Sequence, residues 1–324
     1  MHSYSALLKR ITEAFADTPF VHEPKELYEP IAYTLEEGGK RLRPVLVMLA
    51  TELFGGDIEK ALFPAMGLEI FHNFTLLHDD IMDQAAIRRG KDSVHKKWDT
   101  NTAILSGDTM FVLAYEYVAK TDPALLPQVL DLFNDTAKKV CEGQQYDMNF
   151  ESRNDISIES YLMMIRLKTA VLIACSLKLG AIIAHADKAE ADKLYEFGIH
   201  LGLAFQLQDD LLDAFGDVSK FGKMIGGDIV TNKRTFLYLK AFEVAREDDL
   251  IKLTNLFSDP EIDDNYKVEG ILEIYRQLQI DQITGKEIEY QLMSGLDILN
   301  SVNVEDSSKS ELITLTLGMM ERES

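Results

Sequence analysis

Two copies of one acidic signature constrain this chain more than anything else in it: DDIMD at 79–83 and DDLLD at 209–213. Each closes a long apolar stretch with helical spacing, LEIFHNFTLLH and YEFGIHLGLAFQLQ. Asp79 and Asp83 stand at i and i+4, as do Asp209 and Asp213, so each pair shares a helical face about 5–6 Å apart. Carboxylates that close repel one another unless something positive lies between them. Hard divalent cations suit such oxygen sites, and Mg²⁺ characteristically shares its shell with substrate phosphates. A single DxxxD in a chain with 54 Asp and Glu among 324 residues is most often a solvated face. Here, however, both motifs end stretches that must be buried, which carries the acids to the rim of a core. The spacing predicts a metal–diphosphate site held from two sides.

Composition narrows the class. No Gly/Ser-rich or Pro-rich linker and no shift in composition marks a boundary, so the reading is one domain over 1–324. A hydrophobic share of 46% is ample for a large core. The start, MHSYSALLKRITEAF, reads as an amphipathic helix rather than a leader, and no apolar run is long enough for a membrane span. Two cysteines, Cys141 and Cys175, fit a reducing cytoplasm better than a disulfide framework. A formal net charge of −21 argues against nucleic acid as a partner and makes each basic cluster more informative.

Apolar residues recur at three- and four-residue intervals near 5–16, 25–36, 44–54, 59–83, 101–120, 124–150, 158–184, 188–214, 235–257, 265–300 and 308–321. Strand-like alternation is absent. The prolines read as connections or helix starts, among them Pro44, Pro64 and Pro123. The predicted fold is all-α, a single-domain bundle of long helices around a central cavity.

Cations gather where a diphosphate would need them. Gly38-Gly39-Lys40-Arg41-Leu42-Arg43-Pro44 is a flexible turn carrying three cations before a helix, and Arg forks bind phosphate in bidentate fashion. Arg88-Arg89-Gly90 follows the first acidic motif. Lys168-Thr169 opens an apolar helix, and Lys223 and Lys233 follow the second motif through a Gly-rich loop. Any one of these alone reads as a solvated cation near a helix end. His72 alone reads as a core or capping histidine, but it shares a face with Asp79, seven residues on.

The constellation closely resembles the trans-isoprenyl diphosphate synthases, the polyprenyl synthetase family, most of all its geranylgeranyl and farnesyl members. The resemblance rests on GGKRLRP (38–44), HNFTLLHDDIMD (72–83), RRGKDSVH (88–95), GQQYD (143–147), KT (168–169), FQLQDDLLD (205–213) and GKMIGGDIVTNKRT (222–235), in the family's order. It implies the isoprenoid synthase fold and a reaction joining isopentenyl diphosphate to an allylic diphosphate, head to tail, with release of pyrophosphate. It implies three Mg²⁺ per active site, with Mn²⁺ as a substitute. Asp79, Asp83 and Asp209 would be ligands, and Asp80, Asp210 and Asp213 would support them. Arg88, Lys168, Lys223 and Lys233 would hold the allylic diphosphate; Lys40, Arg43, His72 and Arg89 would hold isopentenyl diphosphate. The main-chain carbonyl of Lys168, the hydroxyl of Thr169 and the amide oxygen of Gln206 would face the allylic cation. Gln144 and Asp147 would form a polar shell facing the first motif. A homodimer is also implied.

Product length, on the same resemblance, is set by side chains one turn or more before Asp79. Phe74 five positions before, with Thr75 at the fourth and Phe71 at the eighth, most resembles the geranylgeranyl (C20) pattern. Farnesyl (C15) comes next, and a longer C30–C40 polyprenyl chain is the alternative if Phe74 turns aside. The plain reading is that both aromatics are core residues. A terpene cyclase fits DDLLD poorly and has no need of GGKRLRP; a head-to-head synthase of the squalene type also lacks it. A non-catalytic partner subunit would lack some motif aspartates, and all six are present here.

Overall fold

The computed structural model of the chain describes residues 2–36, 38–153, 155–216 and 226–320. These residues fall into two compact units: Met1–Asn134 with Cys175–Tyr195 and Val302–Leu312, and Asp135–Ala174 with Glu196–Ser301 and Ile313–Ser324.

In the first unit, α1 (Tyr4–Ala16), α2 (Lys25–Glu36) and α3 (Leu42–Leu53) precede the long α4 (Ile58–Met82). The Asp57 carboxylate starts α4 by accepting from the Glu59 N–H at 3.0 Å, satisfying one orphan donor of the first turn. Ala61, Leu62, Ala65, Met66, Leu68, Ile70 and Phe71 are all buried, so α4 is wrapped on nearly every side. It packs on α3 and most extensively on α6 (Thr100–Val118). Between them lie a two-residue hairpin, β1 (Ile87–Arg88) with β2 (Lys91–Asp92) in antiparallel register, and the short α5 (Val94–Lys97). That hairpin is a small departure from the purely helical expectation. Arg89 and Gly90 both take positive φ at its turn, which lets the chain reverse in two residues.

The second unit takes most of α7 (Leu126–Glu151) and contains α8 (Ile158–Ile165) and a π-helical turn (Arg166–Ala170) that leads into α9 (Val171–Ile183). It also holds most of α10 (Lys188–Phe215), then α11 (Gly227–Val230), α12 (Phe236–Val244), α13 (Glu247–Ser258), α14 (Asp264–Gln277) and α15 (Ile280–Asn300). The last helix, α16, is Asp306–Met320.

Three sequence expectations need correction. The single helix over 235–257 is two, because the chain extends at Ala245 and restarts with Glu247, Asp248 and Asp249 in the first turn of α13, where acids favour a helix start. The single helix over 265–300 is also two, broken at Gln279, which adopts φ 55. Third, Pro30 and Pro64 lie inside α2 and α4 rather than in connections or first turns. Packing on both helices outweighs the backbone hydrogen bond that each proline forgoes. Among the described residues, no helix is long and apolar enough to cross a membrane.

Candidate active site

The first acidic motif occupies the C-terminal tip of α4, and Asp83 caps the helix with its N–H on the Asp79 carbonyl at 2.8 Å. Helix C-termini carry partial negative charge, so three acids here oppose the helix dipole as well as each other. The three are not equivalent. Asp79 is half-buried and Asp83 exposed, whereas Asp80 is only 4% exposed. The Arg88 guanidinium donates to Asp80 through Nε at 2.9 Å and also through Nη2. Burial works against the Arg88 charge, but the Asp80 bond and the fields of Asp79 and Asp83 outweigh it and raise its pKa. Asp80 therefore supports the motif by fastening a cation beside it.

The basic turn at 38–44 comes together with the hairpin in the same unit. Arg89 Nη1 donates to the Gly38 carbonyl at 2.6 Å. Gly39, at φ 118, leaves room for this: a Cβ there would stand 3.1 Å from the guanidinium. Arg41 turns inward, its guanidinium 4.7 Å over the Phe15 ring, while Lys40 is exposed and Arg43 half-buried. His72 is desolvated and faces Arg43, Arg89 and Arg88, which together push its pKa well below 6.5 and keep the ring neutral. Sequence reading missed Glu69, one turn earlier. Burial raises its pKa, while the fields of Arg43, Arg89 and Arg41 act in the opposite direction. The signal for it was an acid in the middle of a stretch otherwise apolar.

Behind the motif, Phe74 stacks on Phe111 of α6 with ring centres 5.1 Å apart and planes 19° from parallel. It also lies 5.6 Å from Phe71 and 4.7 Å from the His78 ring. Phe71 in turn meets Phe133 at 5.3 Å. The Thr75 hydroxyl is taken up by the His72 carbonyl at 2.7 Å. Phe111 and Phe133 belong to separate helices, so no local spacing pointed to them.

In the second unit the corresponding arrangement is built on α10. Asp209 is exposed, Asp213 is half-buried and Asp210 is 5% exposed. Again the middle acid is spent internally. The Tyr161 hydroxyl donates to Asp210 Oδ2 and Gln206 Nε2 donates to Asp210 Oδ1 at 3.1 Å. Burial and the nearby Asp228 charge push the Asp210 pKa up to about 7, against the pull of those two bonds and of Lys233. Asp213 Oδ2 accepts from the Asp228 N–H at 2.9 Å, fixing the start of α11. Lys233 Nζ lies 3.8 Å from Asp228, and Asp213, Asp228, Lys233 and Tyr275 line one small cleft. Lys223 lies outside the described residues.

Lys168 and Thr169 sit on the π turn, within one nearly continuous helical path rather than at the start of a helix. Two glycines pin that turn. A Cβ on Gly143 of α7 would stand 2.3 Å from the Lys168 nitrogen, and one on Gly202 of α10 would stand 2.4 Å from the Ala170 Cα. Such turns are frequent at functional sites, because the altered repeat takes carbonyls out of the usual register. Lys168 Nζ donates to Asp147 Oδ2 at 2.6 Å, which gives Asp147 a definite partner, and Gln144 lies one turn earlier on α7. The Thr169 hydroxyl donates to Gln206 Oε1 at 2.9 Å.

Each acidic motif thus stands at a helix end with a cation nearby, Arg88 bonded to Asp80 at the first and Lys233 3.8 Å from Asp228 at the second. The family described as polyprenyl synthetase matches residues 24–275, and the chain belongs to that family. It is a prenyltransferase with the all-α isoprenoid synthase fold. It is 36% identical over 315 residues to the geranylfarnesyl diphosphate synthase of Natronomonas pharaonis, covering 88% of this chain and 91% of that one. With the geranylgeranyl diphosphate synthase of Sulfolobus acidocaldarius it shares 36% identity, covering 89% of this chain and 86% of that one. A crystal structure of a geranylgeranyl pyrophosphate synthase superposes with a TM-score of 0.95 at 43% identity, over 100% of both chains. The similarity thus extends through the last helices, where the sequence alone carried nothing distinctive.

Proposed function

We propose that the chain joins isopentenyl diphosphate to an allylic diphosphate, head to tail, with Mg²⁺ as cofactor, releasing pyrophosphate and a C20 product. The observation that carries this reading is the same division of labour in both acidic motifs. In each, the middle aspartate is buried and bonded to a neighbouring side chain, while the outer i, i+4 pair is half-buried or exposed near a helix end. Among the described residues no group of three or more carboxylate, His or Cys side chains that could hold a metal ion comes together, so the metal reading rests on the i, i+4 carboxylate pairs. That donor set suits Mg²⁺, which takes one or two carboxylates and fills its shell with water and phosphate. When bound, the metal supplies neutralising charge to the leaving diphosphate.

The protein's own groups do the rest. Arg88, Lys168, Lys223 and Lys233 hold the allylic diphosphate, and Lys40, Arg43, neutral His72 and Arg89 hold isopentenyl diphosphate. The Lys168 carbonyl, Thr169 hydroxyl and Gln206 amide oxygen face the allylic carbon and stabilise positive charge where water must be excluded. That residues 1–324 form one catalytic domain, that the protein is a homodimer and that it is cytoplasmic belong to the same proposal.

The stacked pair of Phe74 and Phe111 favours C20 over the longer chains, since a tail growing past α4 would have to displace both rings. The relative named for geranylfarnesyl diphosphate makes C25 the second reading. Incubation with labelled isopentenyl diphosphate and each allylic starter, followed by chromatography of the prenols, tests this. Phe74→Ala should shift the wild-type product toward C25 and beyond. An unchanged length distribution removes Phe74 from the role of floor.

A further inference from the structure

One buried side chain near the second motif has no part in the scheme above. Tyr161 of α8 is 2% exposed and donates its hydroxyl to Asp210 Oδ2. From there the bonds run in one direction. Asp210 Oδ1 accepts from Gln206 Nε2 at 3.1 Å, and Gln206 Oε1 accepts from the Thr169 hydroxyl at 2.9 Å. All four residues lie in one unit.

The direction has a chemical consequence. A threonine has one hydroxyl proton and two lone pairs. With that proton committed to Gln206, Thr169 turns only lone pairs outward. If the Gln206 amide were reversed, its N–H would point at Thr169 and the threonine proton would be released to point elsewhere. The amide holds its orientation because Asp210 accepts from it, and Asp210 is fixed in turn by the Tyr161 hydroxyl. Without that hydroxyl a buried carboxylate oxygen is short of a donor and the chain of bonds loses its anchor.

We infer that Tyr161 is a positioning residue which, through Asp210 and Gln206, sets the hydrogen-bond polarity of Thr169 so that lone pairs rather than a proton meet the allylic cation. The inference rests on the proposed reaction and adds to it a residue that touches neither substrate nor metal.

Tyr161→Phe keeps the ring and deletes only the donor. It should lower kcat about tenfold and leave both KM values within about twofold, the pattern of an interaction made only in the transition state. It should also raise severalfold the share of allylic diphosphate released as allylic alcohol, because a less stabilised cation is captured by water. That share is a ratio within one reaction, so it does not depend on how much of the variant is folded. A double-mutant cycle supplies the second readout: if Tyr161 acts through Thr169, adding Tyr161→Phe to Thr169→Val should cost little beyond Thr169→Val alone. An unchanged alcohol share, or penalties that multiply in the double variant, overturns the inference while leaving the proposed reaction standing. A wild-type protein that forms no prenyl diphosphate from the two substrates overturns both.

Discussion

His72 shows how a single residue changes meaning with its surroundings. On the sequence it is a histidine in an apolar run; in the fold, burial and three arginines keep it neutral. A neutral ring can donate one hydrogen bond to a phosphate oxygen and accept another, without adding to the charge of Arg43 and Arg89. The shift has a thermodynamic sign. The folded pKa lies below the unfolded 6.5, so between the two values the unfolded chain binds a proton that the folded chain refuses. Stability from this group is whole above about pH 6.5 and is lost as pH falls through the window beneath it. His72→Gln should therefore lose less melting temperature than wild type on going from about pH 7.5 to about pH 5.5, and equal losses would contradict the assignment. Residue types and spacing made the outer aspartates and most of the cations legible. They could not reveal that Asp80, Asp147 and Asp210 are spent on Arg88, Lys168 and Tyr161, because those pairings depend on which helices meet.

At the scale of elements, both motifs stand where a helix end makes acids costly, and that was readable from apolar runs stopping at DDIMD and DDLLD. The π turn was not. Its sequence, RLKTA, is ordinary helix former, and the cause lies in Gly143 and Gly202 on neighbouring helices, which bring backbone against backbone. Gly143→Ala should cost about 1–3 kcal/mol through overpacking and lower turnover more than it weakens substrate binding, since it displaces the Lys168 backbone. Urea melts paired with steady-state kinetics check both parts. Wild-type stability and kcat would show that the turn does not need the glycine. The breaks at Gln279 and before Glu247 were equally hidden, because no glycine or proline marks them.

For the whole molecule, a net charge of −21 sets the problem that the fold solves. An acidic protein that must hold diphosphates needs its cations anchored, and Arg88, Arg89 and Lys168 each have a fixed partner that does so. The fold class was legible because helical periodicity persists through nearly the entire chain, and the family because its motifs occur in order. The aromatic stack behind Phe74 was only half legible, as Phe111 and Phe133 arrive from other helices. The account as a whole turns on the outer aspartates carrying the metal. The most direct measurement is Mg²⁺ titration of isopentenyl diphosphate consumption by the purified chain, wild type beside Asp79→Ala and Asp209→Ala. The account predicts no turnover without Mg²⁺ and a loss in each variant of two or more orders of magnitude, about 3 kcal/mol or more of barrier. Wild-type turnover in either variant, or full activity in excess chelator, would contradict it.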